Sequence, residues 1–151
     1  MASSLAKIDI HLIFHVKSTS VKIQEEDLPH VFAYIGGIIR DHDGIPFEIG
    51  GRTDHIHVFC SLPKSMSLSD FVRIIKSVSS KWLKTVNERY VSFSWQDGSG
   101  AFSVSPSLAS KTVDYIRHQE EHHKKRTFKE EYELFLKAYG IQYDERYVFG
   151  D

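Results

Sequence analysis

The sequence predicts an α+β fold of the ferredoxin-like (RRM-like) type, with the order βαββαβ and one antiparallel sheet. Three observations support this prediction. Short apolar segments recur with a period of two, two longer segments between them have helical spacing, and turn dipeptides precede two of the strands. We expect helices on one face of the sheet and a functional site on the other. RNA-recognition domains share this order, so the fold alone does not decide the function.

The first half of the chain contains three predicted strands and one helix. Apolar residues alternate over 7–17, which predicts a strand, and then recur at helical spacing over 26–41. Asp43-Gly44 marks a turn before a short strand at 45–49. The apolar run at 55–62 is the third strand, and we expect it to be central.

The second half begins with a helix at 68–87, for which Ser67 is a suitable N-cap. A short strand follows at 101–104. The next segment, 108–125, has helical character, and a last helix follows the Thr127 cap as far as Tyr139. These elements complete the βαββαβ order and add helices at the C-terminal end.

Composition indicates one domain spanning residues 1–151. Hydrophobic residues make up 41% of the chain and charged residues 26%, which is ordinary for a globular protein. The single cysteine, Cys60, excludes an internal disulfide and is typical of a reducing cytoplasm, where we expect the protein. No apolar run has the length of a membrane span, so we expect no membrane association.

Two histidines stand one residue apart in the third strand, just after the Gly50-Gly51 turn. Because side chains alternate along a strand, His55 and His57 point to the same face, about 7 Å apart. Two imidazoles on one face can converge on a single cation. A solvated or hydrogen-bonded pair is the alternative interpretation, and the pair alone does not decide between them.

A second cluster lies in the helical segment at 108–125, where Tyr115 and Gln119 are one turn apart on the same face. A histidine pair, a tyrosine and an amide together would form a compact site for metal-assisted phosphoryl transfer. On these residues the chain resembles the HUH transposases with a single catalytic tyrosine. These are small enzymes of bacterial insertion sequences, together with their REP-associated tyrosine transposase relatives.

The resemblance extends from about His11 to Tyr147 and therefore covers most of the chain. Its matching blocks are Gly50–Val58, the basic helix with Lys76, Ser79, Ser80 and Trp82, Trp95–Ser105, Tyr115-Ile116 with Gln119, and Tyr143–Tyr147. Ser99 departs from the pattern, because relatives often carry an aromatic residue there. This departure concerns a loop contact and not the chemistry.

The resemblance implies that His55, His57 and the side-chain oxygen of Gln119 bind Mg²⁺ or Mn²⁺. Imidazole ligands favour Mn²⁺, whereas cellular abundance favours Mg²⁺. Tyr115 would attack a DNA phosphate and form a phosphotyrosine linkage, which retains the energy of the phosphodiester, so that rejoining needs no nucleotide cofactor. The implied substrate is single-stranded DNA with imperfect hairpins near the ends of a mobile element.

The resemblance also bears on assembly. Insertion-sequence members form homodimers in which the tyrosine helix of one subunit serves the histidine pair of the other, whereas REP-associated relatives can work as monomers. The modest length of chain after the tyrosine helix is closer to the dimeric type. We therefore expect a homodimer with shared sites.

The helix at 68–87 has two different faces. Apolar residues at helical spacing form a stripe that we expect to be buried, and the other face carries Arg73, Lys76, Lys81 and Lys84. Residues 61–91 hold six basic and two acidic side chains, although the net charge of the chain is −1. This asymmetry predicts phosphate contacts, with a solvated surface as the alternative.

The remaining histidines have simpler interpretations. His11 and His15 share a face of the first strand and are interpreted as structural. His118, His122 and His123 belong to a charged helix end that is typical of a solvated surface. Of these, only His123 has the spacing from the predicted amide ligand to reach the surroundings of the metal.

Three other classes of protein fit parts of this pattern. Replication initiators and relaxases of the wider HUH superfamily usually carry further domains. A two-histidine phosphoesterase needs two His-x-Thr/Ser motifs, and this sequence contains none. A non-catalytic or domesticated hairpin-binding protein of the same fold stays as the alternative, because catalytic residues alone do not establish that DNA is moved.

Overall fold

The computed structural model describes residues 4–149, apart from the side chain of residue 147. Residues 1–3 and 150–151 of the predicted domain lie outside this description. The sheet has the strands β1 (Asp9–His15), β2 (Pro46–Arg52), β3 (His55–Ser61) and β4 (Gly100–Ser103). Their order is β2-β3-β1-β4 and all neighbours are antiparallel, which confirms the predicted fold and the central position of β3.

Helices occupy both faces of the sheet. In chain order the described helices are α1 (Leu28–Asp41), α2 (Leu68–Val86), α3 (Ala109–Arg117), α4 (Gln119–His122), α5 (Phe128–Ala138) and α6 (Glu145–Val148). The predicted caps are present: Ser67 accepts a hydrogen bond from the amide of Asp70, and Thr127 forms a capping box with Glu130. None of the helices in residues 4–149 is long and apolar enough to cross a membrane.

The main core lies between the sheet and the first two helices. Leu12 and Phe14 of β1 and Val58 of β3 point to this face and are buried beneath Ile35 of α1 and Ile75 of α2. Cys60 is also fully buried here, as expected of a small core residue, and burial raises the pKa of its thiol to about 12. This layer fixes the positions of β1 and β3, from which the other face is built.

The opposite face of the sheet is enclosed by α3, α4 and α5, whereas the sequence predicted an open site there. Two small apolar clusters attach these helices. Ile13 and Phe102 pack against Leu136 of α5, and Phe59 packs against Ile116 of α3. Among the residues of β1 and β3 on this face, only Ile13 and Phe59 are apolar, and they anchor this second helical layer. The histidines therefore lie in the interior.

The predicted helix at 108–125 is broken at His118, whose φ and ψ are −104° and 30°. Tyr115 therefore lies in α3, and Gln119 lies at the start of α4. Side chains satisfy the carbonyls at the break: Gln119 Nε2 donates to the carbonyl of Tyr115 at 3.3 Å, and His118 Nδ1 lies 2.7 Å from that of Asp114. The break turns the Gln119 side chain back toward the sheet.

Trp95 and Phe102 belong to the core. Trp95 is 6% exposed and Phe102 is 2% exposed. The indole Nε1 of Trp95 donates to the buried hydroxyl of Ser79 at 3.1 Å, which explains a serine on the buried side of α2.

Candidate functional site

His55 and His57 lie next to each other on β3 and are fully buried. Their ring centroids are 5.1 Å apart, with the planes nearly perpendicular. The strand alternation predicted from the sequence thus places both imidazoles on one face. Their Nε2 atoms face the layer formed by α4 and α5.

Gln119 joins the histidine pair, as the resemblance implied. Its Oε1 lies 3.1 Å from His55 Nε2. The hydrogen bond from Gln119 Nε2 to the backbone carbonyl of Tyr115 fixes this orientation of the amide. His55 Nδ1 lies 2.8 Å from a carboxylate oxygen of Asp54, so neutral His55 carries its proton on Nδ1. The lone pairs of His55 Nε2 and Gln119 Oε1 then face each other. A cation between them would bind both, so these residues fit a metal.

His57 is held by a second histidine that the sequence did not assign to the site. His11 Nε2 lies 2.8 Å from His57 Nδ1, and both rings are buried. Burial lowers the pKa of His57 to about 4 and also lowers that of His11, so both imidazoles are neutral at pH 7. Neutral imidazole is the form that binds metals. A contact between side chains of two strands cannot be assigned before the register of β1 and β3 is known.

Glu131 of α5 also lies in this cluster, and sequence reasoning did not assign it to the site. It is 3% exposed, and its Oε1 lies 2.8 Å from His57 Nε2 and 3.7 Å from His55 Nε2. Among the residues described, His55, His57 and Glu131 form a group whose ligand atoms all lie within 4.8 Å of one another. The helical spacing of Phe128, Glu131 and Phe135 could have indicated that this carboxylate lies on the inner face of the helix.

His123 links the amide and the carboxylate. Its Nε2 lies 3.1 Å from Gln119 Oε1 and also 3.1 Å from Glu131 Oε2, so one N–H is shared between two acceptors. Burial alone would raise the pKa of Glu131, but hydrogen bonds from His123 and His57 outweigh it and hold this pKa well below its usual range. The carboxylate is therefore charged at neutral pH. His118 is exposed and outside the cluster.

Tyr115 completes the cluster within the same chain. Its ring centroid lies 5.7 Å from that of His57 and 4.6 Å from that of His122, on which it stacks. Burial, and then the charge of Glu131, raises the pKa of the phenol well above its ordinary value. Tyr115 is thus protonated at neutral pH, and its side chain is half-buried.

The four predicted DNA-binding residues of α2 have different surroundings. Arg73, Lys81 and Lys84 are exposed, and Arg73 donates to Asp70 at 3.3 Å. The ammonium of Lys76 instead donates to the carbonyls of residues 96, 97 and 98, at 3.1 and 3.0 Å for the last two. Burial lowers its pKa. Lys76 therefore holds the loop before β4, and three of the four cations face solvent.

The tyrosine helix α3 is placed by a close contact with β2. A Cβ atom at Gly50 would lie 2.6 Å from the carbonyl oxygen of Ile116, the residue after Tyr115. No side chain fits in this space unless the backbone moves. Gly50 thus sets the distance between the tyrosine helix and the sheet that carries the histidines.

The fold that carries this histidine pair, tyrosine and amide is shared with known proteins. The model of the family described as "Transposase IS200 like" matches residues 4–119, and the chain therefore belongs to this family of transposases. The match includes all four residues of the predicted catalytic and metal site and ends before Glu131. No curated protein sequence matches the chain.

Two solved structures have the same fold. The crystal structure of a protein assigned as a transposase of Deinococcus radiodurans R1 has 16% identity and a TM-score of 0.61, over 79% of this chain and 95% of that one. A REP-associated tyrosine transposase, bound to a REP hairpin, has 16% identity and a TM-score of 0.58, over 82% of this chain and 74% of that one. These similarities confirm the predicted fold class.

The contact at Gly50 gives a prediction. Gly50→Ala should lower the free energy of unfolding by about 1–3 kcal/mol, because the new methyl group displaces the backbone of α3. Urea denaturation measures this change. Gly37→Ala on α1 is the matched control, since a Cβ there meets no atom within 4 Å, and it should be neutral or stabilising by up to about 1 kcal/mol. Equal stability of the Gly50 variant and the wild type would contradict the tight contact.

Proposed function

We propose that this protein is a metal-dependent transposase that nicks and rejoins single-stranded DNA at hairpin-bearing ends through a covalent phosphotyrosine linkage. One observation carries the proposal: a single chain brings Tyr115 to within 5.7 Å of the His57 ring, beside the contact between His55 and Gln119. Membership in a transposase family supports the same reaction class.

The residues that would hold the metal are His55, His57 and Gln119. A bound divalent cation would act as a Lewis acid toward the scissile phosphate, and both Mg²⁺ and Mn²⁺ suit nitrogen and oxygen ligands with open positions. His11 and Asp54 orient the two imidazoles through their Nδ1 atoms, which keeps both Nε2 atoms directed at the site.

Tyr115 supplies the nucleophile. Its phenolic oxygen forms a bond to phosphorus while the phosphorus–oxygen bond to the leaving nucleotide breaks, and the leaving oxygen takes up a proton as a free hydroxyl. The phenol loses its own proton in this step. Attack of a DNA hydroxyl on the phosphotyrosine reverses the exchange, so the bond count is unchanged and no nucleotide cofactor is consumed.

A DNA hairpin is the proposed substrate. The REP-associated tyrosine transposase with the same fold was solved in complex with a REP hairpin. On this chain, the exposed cations Arg73, Lys81 and Lys84 form a basic face on α2, to which Lys76 contributes by holding the adjacent loop. Such a face can neutralise backbone phosphates without reading sequence.

The nucleophile gives the central test. Tyr115→Phe should abolish the covalent protein–DNA adduct with labelled single-stranded hairpin DNA and Mn²⁺, and leave hairpin affinity within about twofold, because only the hydroxyl is lost. Denaturing gel electrophoresis detects the adduct. Tyr34→Phe, on the opposite side of the sheet, is the control and should retain it. An adduct mapped to Tyr90 or Tyr132 would refute the assignment. Wild-type protein that binds the hairpin without forming any adduct would instead indicate a non-catalytic hairpin-binding protein.

The basic face gives an independent test. Replacing Arg73, Lys81 and Lys84 together by Gln should weaken hairpin binding and reduce the slope of log K against log salt by about 2, since each lost phosphate contact contributes roughly 0.7 for single strands. Fluorescence anisotropy over a salt series measures both. The control replaces exposed Lys22, Arg40 and Lys137 by Gln, which changes the net charge equally. The same slope in both triple variants would mean that α2 is only a solvated surface.

The homodimer stays a prediction, and its shared site can be tested by mixing variants. One chain already contains the whole cluster. A site shared between two subunits would therefore require the two chains to exchange their tyrosine helices. If sites are shared, Tyr115→Phe mixed with His57→Ala protein should recover about one intact site per heterodimer, or roughly a quarter of wild-type adduct for random pairing. Heterodimers confirmed by differential tags that form no adduct would show that Tyr115 acts in its own subunit.

A further inference from the structure

Helix α5 directs one carboxylate into the cluster that the proposed function uses. Glu131 is 3% exposed and makes its contacts with His57, His55 and His123. It lies twelve residues beyond the region that the family model matches. Burying a charged carboxylate is unfavourable unless it is paired or coordinates a metal.

We propose that Glu131 is a ligand of the same divalent cation, together with His55, His57 and Gln119. This inference rests on the proposed metal-dependent function and adds a residue to its binding site. Carboxylate oxygen is a preferred ligand of both Mg²⁺ and Mn²⁺. The ligand set then carries one negative charge, in place of the neutral set that the sequence implied.

The spacing of the donor atoms supports this assignment. Two ligand atoms each ~2.1 Å from a cation and at right angles about it lie roughly 3.0 Å apart. The separations are 2.8 Å from Glu131 Oε1 to His57 Nε2 and 3.1 Å from Gln119 Oε1 to His55 Nε2. The third, from Glu131 Oε1 to His55 Nε2, is 3.7 Å. The first two separations suit neighbouring positions around one ion, and the third corresponds to a wider angle of roughly 120° at the ion.

The surrounding hydrogen bonds also allow a cation to replace the proton on His57 Nε2. Without metal, His57 Nε2–H donates to Glu131, and His57 Nδ1 accepts from His11. If a cation takes Nε2, the His57 proton can reside on Nδ1 and be donated to His11 Nε2 at the same 2.8 Å, with the His11 proton moved to its own Nδ1. His123 keeps its bond to Glu131 Oε2, which leaves Oε1 directed at the ion.

A consequence is that the cation would join α5 to β3 and to α4. Wild-type protein should therefore show slower amide hydrogen exchange in α5 when Mn²⁺ is added. This measurement needs no variant and no DNA. Metal uptake without any slowing in α5 would overturn the role of Glu131.

The binding experiment uses the full chain with Mn²⁺ alone, and the free ion is followed by electron paramagnetic resonance. Glu131→Gln keeps the shape of the side chain and should raise the Mn²⁺ dissociation constant about tenfold or more. Glu130→Gln is the matched control, because Glu130 is exposed on the same helix and Gln also serves in a capping box. This control should bind as the wild type does.

The outcomes separate the two proposals. Wild-type protein that takes up no Mn²⁺ would refute the metal-dependent function, and with it the ligand role of Glu131. Wild-type uptake with unchanged affinity in Glu131→Gln would refute the ligand role alone. Circular dichroism establishes that the variant is folded, and the hydrogen-exchange measurement on wild-type protein decides the question if it is not.

Discussion

The alternation of side chains along β1 and β3 is the constraint on which the rest of the structure depends. Leu12, Phe14 and Val58 point to one face and complete the main core, while their neighbours His11 and His57 point to the other. A shift of one residue in the pairing of these strands would bury the histidines among aliphatic side chains and expose the core. The register that stabilises the fold is therefore also the one that assembles the imidazoles.

The buried imidazoles on the second face are tolerated because polar groups of several elements surround them. Three of the four ring nitrogens of His55 and His57 have hydrogen-bond partners, which come from a neighbouring strand, a turn and α5, whereas His55 Nε2 faces the side-chain oxygen of Gln119 in α4. A network of this kind specifies one arrangement, since removal of any member leaves another buried and unpaired. Hydrogen bonds as well as apolar contacts thus fix the positions of the helices α3 to α5.

Much of the fold and part of the site could be predicted from the sequence. His55 and His57 follow from strand periodicity, and the elements follow from apolar spacing. Glu131 and His11 could not be assigned, because their roles arise from contacts between residues 74 and 46 positions apart. The break at His118 was also missed, since it depends on side-chain bonds to helix carbonyls. Lys76 looked like a surface cation because the carbonyls that it binds lie 20 to 22 residues away.

The late position of α5 in the chain has a consequence for biosynthesis. The histidine strand leaves the ribosome early, but the carboxylate that closes the cluster follows 74 residues after His57. Contacts of such long sequence separation form slowly and late in folding. A nascent chain that ends before Thr127 has the histidine pair and the tyrosine but lacks the helix that covers them. The order of translation thus delays the finished centre until α5 has been made.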